Sequence, residues 1–264
     1  MFSWFRRVAA LLVLLCVTGC AAPAPSKADP GGVPGPLIGT MNYAIVPDQR
    51  FVWHGPAAAA GVVVWSHGKG GFGVDLRGIE PPPFVHRLNA AGYDVVRFDR
   101  APLVDQTERA AGWLRSSLAT LRKDGYHRII AGGQSRGAWN SLEMLHTAGL
   151  ADVIIALSPA AQGTANGINL RGQTDDFRAM LSDLPHSDTR VAMAQFDRDL
   201  FMGSADDRRA LMERLVAPQV AALLLIDRPP GLIGHYAGTG PAFDAAFGGC
   251  LVQFATAPTP PAHC

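Results

Sequence analysis

From about residue 37 onward, short runs of consecutive apolar residues alternate with segments of helical periodicity, and this alternation limits the folds open to the chain. Residues 61–65, 94–98, 128–132, 152–157, 191–196 and 220–226 are short, rich in Val, Ile and Leu, and read as strands buried on both faces. Helices are predicted between or after them, at 84–91, 106–123, 136–147, 176–181, 206–215 and 241–254. The longest places Ala110, Trp113, Leu114, Leu118 and Leu121 on one face at spacings of three and four. This order predicts an α/β fold, a mostly parallel sheet with helices on both faces. Residues 159–189 leave room for a small lid but not for a large cap domain. In such sheets ligands bind beyond the carboxyl ends of the strands.

At one of those ends stands Gly133-Gln134-Ser135-Arg136-Gly137, a G-x-S-x-G sequence. An apolar strand ends one residue before it, and a helix carrying Ala138, Leu142 and Leu145 begins directly after it. A sharp strand-to-helix turn of this kind lifts a serine hydroxyl above the sheet and needs small flanking residues because it is crowded. The helix amides that follow favour a developing anion. Ser135 is therefore the candidate nucleophile. The alternative is a glycine-rich turn with a capping serine.

Here the chain resembles the α/β-hydrolase superfamily, in particular its compact dienelactone-hydrolase-like members, over residues 40–256. A second motif, Ser66-His67-Gly68-Lys69-Gly70-Gly71, is similar to the family's oxyanion loop. The resemblance implies that the main-chain amides of Lys69 (or Gly70) and Arg136 form the oxyanion hole. Lys69 stands where small or apolar residues are usual, and its ammonium either meets solvent or helps to bind an anionic substrate. His67 is read as ordering the loop. Asp99 and Arg100 either line the cleft or serve structure.

A serine needs a base, and the base needs an orienting carboxylate, in the chain order Ser, Asp or Glu, His. Of eight histidines only His235 and His263 follow the acid loop, and His263 sits in a Pro-rich tail. His235 is the expected base; His86, His127 and His146 read as surface residues. The acid comes from Asp197-Arg198-Asp199 after the strand at 191–196. The family's spacing favours Asp199, with Asp197 as the alternative acid. The implied activity is hydrolysis of a carboxylic ester or thioester, small or lipid-like, through an acyl-enzyme, with no cofactor and no metal. The same triad serves a serine peptidase or an acyltransferase, and a non-catalytic binding lipoprotein is a further reading.

The amino terminus carries a separate message. Arg6-Arg7, an apolar run at 8–17 and Thr18-Gly19-Cys20 have the layout of a secretory signal, and ten apolar residues are too few to span a bilayer. Val17-Thr18-Gly19-Cys20 resembles the lipobox of bacterial lipoproteins, which implies cleavage before Cys20 and its lipidation. Cleavage by an ordinary signal peptidase near residues 21–24 is the alternative. The expected organisation is a signal peptide at 1–19, a Pro/Gly/Ala-rich tether at 20–36 and one hydrolase domain at 37–264. The expected location is the cell envelope, the outer membrane in a Gram-negative host because Ala21 follows the cysteine. Cys16 lies in the signal and Cys20 carries lipid, so Cys250 and Cys264 are expected to form a disulfide in an oxidising compartment. Net charge is +1 with no dense basic run, which excludes nucleic acid as a partner.

Overall fold

The computed structural model describes residues 34–71, 74–161 and 170–264, without the side chains of 170 and 171. The signal peptide, Cys20 and the tether up to residue 33 lie outside the described residues. Among the described residues no helix is long and apolar enough to cross a membrane.

Eight strands form one sheet in the order β1-β2-β4-β3-β5-β6-β7-β8. They are β1 (Ile38–Gly39), β2 (Tyr43–Pro47), β3 (Gly61–Ser66), β4 (Tyr93–Arg100), β5 (Ile129–Gln134), β6 (Val153–Leu157), β7 (Arg190–Gln195) and β8 (Ala222–Asp227). The strands from β4 to β8 run parallel, while β1 and β2 form an antiparallel edge. The sheet is thus mostly parallel, as the alternation predicts. The hairpin edge is an addition to that prediction, since a two-residue and a five-residue strand carry too few positions to show a period.

Among the described residues seven helices follow the strands: α1 (Phe84–Ala90), α2 (Thr107–Lys123), α3 (Arg136–Leu142), α4 (Leu170–Met180), α5 (Ala205–Leu211), α6 (Pro241–Phe243) and α7 (Gly249–Thr256). Strand side chains alternate between two separate cores. Val62 and Val64 face Leu114, Leu142, Phe177 and Leu211 of α2 to α5, whereas Val63 and Trp65 face Phe84, Leu88 and Phe254 of α1 and α7. Both faces of the sheet are therefore covered, which is why its strands read as continuous apolar runs.

Helix ends differ from the sequence reading in defined ways. The 136–147 helix tightens into a 3₁₀ turn after Leu142, and the 206–215 helix widens into a π-type turn at Met212–Val216. The 241–254 helix contains a similar wide turn at Asp244–Gly248 and runs on to Thr256. Conversely, α4 begins at Leu170 rather than at Asp176, because its first turns are polar and carry no apolar stripe. Cys250 and Cys264 are joined by a disulfide that ties α7 to the carboxyl terminus.

Candidate active site

Ser135 joins β5 to α3 with φ 55° and ψ −118°, a conformation outside the helical and extended regions. The surrounding contacts enforce it. The Ser135 amide donates to the Leu157 carbonyl at 2.9 Å, and its own carbonyl accepts from Trp139 at 3.0 Å and Ala160 at 3.2 Å. The two glycines of the motif have distinct steric reasons. A Cβ on Gly133 would lie 2.4 Å from the Gly137 carbonyl carbon, and one on Gly137 would lie 1.9 Å from the Ser66 oxygen. Only glycine lets α3 start this close to β3 and β5. The resulting strain is held at a residue that is 8% exposed, at the carboxyl end of the sheet.

His235 reaches the same end from the loop after β8. Its Nδ1 donates to both carboxylate oxygens of Asp199 at 2.8 Å, with the His235 and Asp199 side chains 5% and 3% exposed. A carboxylate accepts only, so the proton is on Nδ1 and Nε2 is the basic nitrogen. Asp199 also accepts the Phe201 amide at 2.9 Å, and the Phe201 ring packs on the imidazole at 4.5 Å. On the opposite side, the Gln134 side-chain amide donates to the His235 carbonyl at 3.2 Å, which ties this loop to the residue before Ser135.

The two aspartates of the acid loop have different environments. Asp197 is exposed, and its main chain pairs with Ile233 and accepts the Gly234 amide at 2.8 Å. Its backbone thus docks the His235 loop while its carboxylate faces water. Arg198 then turns the chain with φ 55°, and Asp199 points back to the imidazole. Behind this pair Arg208 is fully buried, donating to the Pro159 carbonyl at 2.7 Å and stacking 4.3 Å over Phe177. Burial lowers its pKa to about 10, opposed by the negative charge of Asp199.

The loop at 66–71 is ordered by a side chain whose role the sequence left open. Arg100, at the end of β4, is 1% exposed and donates to Asp105 at 3.0 Å, the Ser66 hydroxyl at 2.7 Å, and the carbonyls of His67 and Gly68. His67 lies in the same network. Its Nδ1 donates to the Gly68 carbonyl at 2.6 Å and its Nε2 accepts the Arg100 amide at 3.1 Å. Burial, reinforced by the Arg100 charge, lowers the His67 pKa to about 3, so the ring is neutral and serves to hold the loop. With the loop carbonyls turned toward Arg100, the Lys69 amide donates to no described residue. Arg136, the first residue of α3, has no helical carbonyl behind it for its own amide. The loop runs close to Ser135: a Cβ on Gly68 would sit 3.3 Å from the Ser135 Cβ.

Other sequence candidates lie elsewhere. His86 pairs with Glu80 at 3.1 Å, His146 binds the Met180 carbonyl at 2.7 Å, and His127 and His263 are exposed. The Lys69 ammonium has no ion-pair partner among the described residues and borders a cavity of about 460 Å³ that also touches Gly68, Gln134 and Tyr236. Another cavity, of about 450 Å³, opens between Asp152, His186 and Gln219 near the amino ends of the strands, away from Ser135. Phe201, which packs on the imidazole, and Gln134, which bonds the His235 main chain, had no signal in the sequence.

No protein-family model matches the chain, and no curated protein matches it. Solved structures do. An esterase from Pyrococcus furiosus is similar with a TM-score of 0.55 and 16% identity, over 80% of this chain and 85% of that one. A carbohydrate esterase from gut microbiota, in truncated form, gives 0.57 and 14% over 81% and 90%. A candidate dienelactone hydrolase from Klebsiella pneumoniae gives 0.53 and 12% over 86% and 97%. At these identities the likeness is one of fold.

Proposed function

On the α/β-hydrolase fold that these structures share with the chain, we propose that the protein is a serine hydrolase that cleaves carboxylic esters through an acyl-enzyme. The observation that carries this reading is the conjunction at one sheet end of a strained Ser135 with a buried His235–Asp199 pair. His235 Nε2 takes the Ser135 proton as the hydroxyl attacks the ester carbonyl, and the imidazolium that forms is stabilised by Asp199. The oxyanion is met by the Arg136 and Lys69 amides. His235 then protonates the leaving alcohol, and water repeats the sequence on the acyl-enzyme. Asp199 is the acid of this scheme, and Asp197 has a main-chain docking role. That similar structures include esterases supports the reading.

The same reading includes export, with residues 1–19 removed and Cys20 acylated, so that several acyl chains hold the enzyme to the envelope by a short tether. Hydrolysis of short esters by the purified mature domain tests the chemistry. Turnover that disappears in Ser135→Ala is expected; peptide cleavage without ester cleavage would replace the esterase reading by a peptidase. Palmitate labelling that disappears in Cys20→Ser tests the anchor, and a mature chain beginning within residues 22–25 would overturn it.

A further inference from the structure

The cavity of about 460 Å³ beside the oxyanion loop is built from Trp65, Val74, Leu76, Ile79, Pro82 and Tyr236. Its inner end meets Gly68 and Gln134, the two residues that flank Ser135 in space and in sequence. Most of its lining is hydrocarbon and aromatic, and the Lys69 ammonium, without an ion-pair partner among the described residues, also borders it. The Gln134 amide is spent on the His235 carbonyl, and Glu80 is turned to His86 at 3.1 Å. Toward solvent the apolar surface continues, with Val74 56%, Ile79 47% and Tyr236 65% exposed. Apolar walls of this kind offer little to replace the hydration of a sugar, but they gain from hydrocarbon.

We propose that this cavity is an acyl- or alkyl-chain site, which selects esters bearing one hydrocarbon arm of medium length. The inference rests on the serine-hydrolase reading and names the substrate class of that site. At ~30 Å³ per methylene-sized group the volume sets a ceiling of roughly 15 groups, and the open mouth lowers it to roughly six to ten carbons.

The test uses two series on the mature protein: p-nitrophenyl esters from acetate to dodecanoate, and alkyl acetates over the same lengths. In one series kcat/KM is expected to rise roughly two- to fourfold per methylene, fourfold being 0.8 kcal/mol at 1.4 kcal/mol per decade, and to stop rising at about six to ten carbons. The series that responds tells whether the arm is acyl or alkyl. Ile79→Trp and Leu76→Trp, which fill the cavity, should move the break to shorter chains. Val52→Trp, at the opposite end of the sheet, should leave it in place. Profiles that are flat or falling from acetate onward in both series would overturn the proposal, as would a break that neither filling variant moves. If Ser135 resists a fluorophosphonate and no ester turns over, the serine-hydrolase reading itself has failed. A reactive Ser135 with flat profiles removes only the chain site.

Discussion

Replacing Arg100 tests whether the oxyanion loop is held from below. Its guanidinium is sealed from water and serves Asp105, whose side chain is 2% exposed, together with the Ser66 hydroxyl and two loop carbonyls. In Arg100→Met the carboxylate stays buried without its cation. Breaking a buried pair from one side costs about 3–5 kcal/mol, and each abandoned acceptor adds part of a further ~1–3 kcal/mol. Against a typical domain stability of about 5–15 kcal/mol, that variant stands near unfolding. Arg100→Lys is therefore the informative change. It keeps the charge but loses the planar fork, so it cannot reach Asp105, Ser66 and both carbonyls together. The expected loss is about 1.5–3 kcal/mol in urea unfolding. In turnover, a loop freed to rotate misplaces the Lys69 amide. Complete loss of one oxyanion donor costs about 10²–10³ in kcat, so partial misplacement should cost roughly 10- to 100-fold, with KM little changed. An Arg100→Lys protein within 0.5 kcal/mol and twofold in kcat of the parent would refute the role given to this network.

Three further outcomes follow from the geometry. Asp199→Ala should lower kcat by about 10³–10⁴ while Asp197→Ala stays within a few-fold, because only the former carboxylate fixes the Nδ1–H tautomer; the reverse order in steady-state kinetics would reassign the acid. Gly137→Ala should destabilise by about 1–3 kcal/mol or more in urea, since the new methyl would meet the Ser66 carbonyl at 1.9 Å; unchanged stability would contradict the packing described. His67, held neutral with a pKa near 3, makes the fold less stable as acidity rises. Below about pH 6.5 the unfolded chain takes up a proton that the folded ring refuses until about pH 3, so up to ~1.4 kcal/mol is lost per pH unit in that window. Urea melts of His67→Gln should show a smaller loss between pH 7 and pH 5 than the parent; equal losses would place the titration elsewhere.

How far the sequence carries the fold depends on where each element is buried. The six parallel strands were readable because both faces are covered, so that Val62 to Trp65 or Ile154 to Leu157 have no polar position to interrupt the run. The strand-to-helix turn at Ser135 was readable because its crowding demands glycine at two fixed offsets. Which of Asp197 and Asp199 meets the imidazole was a different kind of problem. Both follow the same strand, and the distinction is made by a positive φ at Arg198 and by pairing with Ile233, 36 residues from Asp197. The support under the loop was equally hidden. Arg100 and His67 are 33 residues apart, and no local pattern marks that a strand-end arginine will turn inward. Local preference and burial leave a trace in sequence; contacts between distant loops do not.

The proposed mechanism turns on the nucleophilicity of Ser135. Treating the folded mature protein with a fluorophosphonate and locating the adduct by mass spectrometry tests this directly. A single stoichiometric adduct on Ser135 is expected, slowed at least 100-fold in His235→Ala and absent after unfolding in urea. A folded protein whose Ser135 stays unmodified, or reacts equally well without His235, would contradict it.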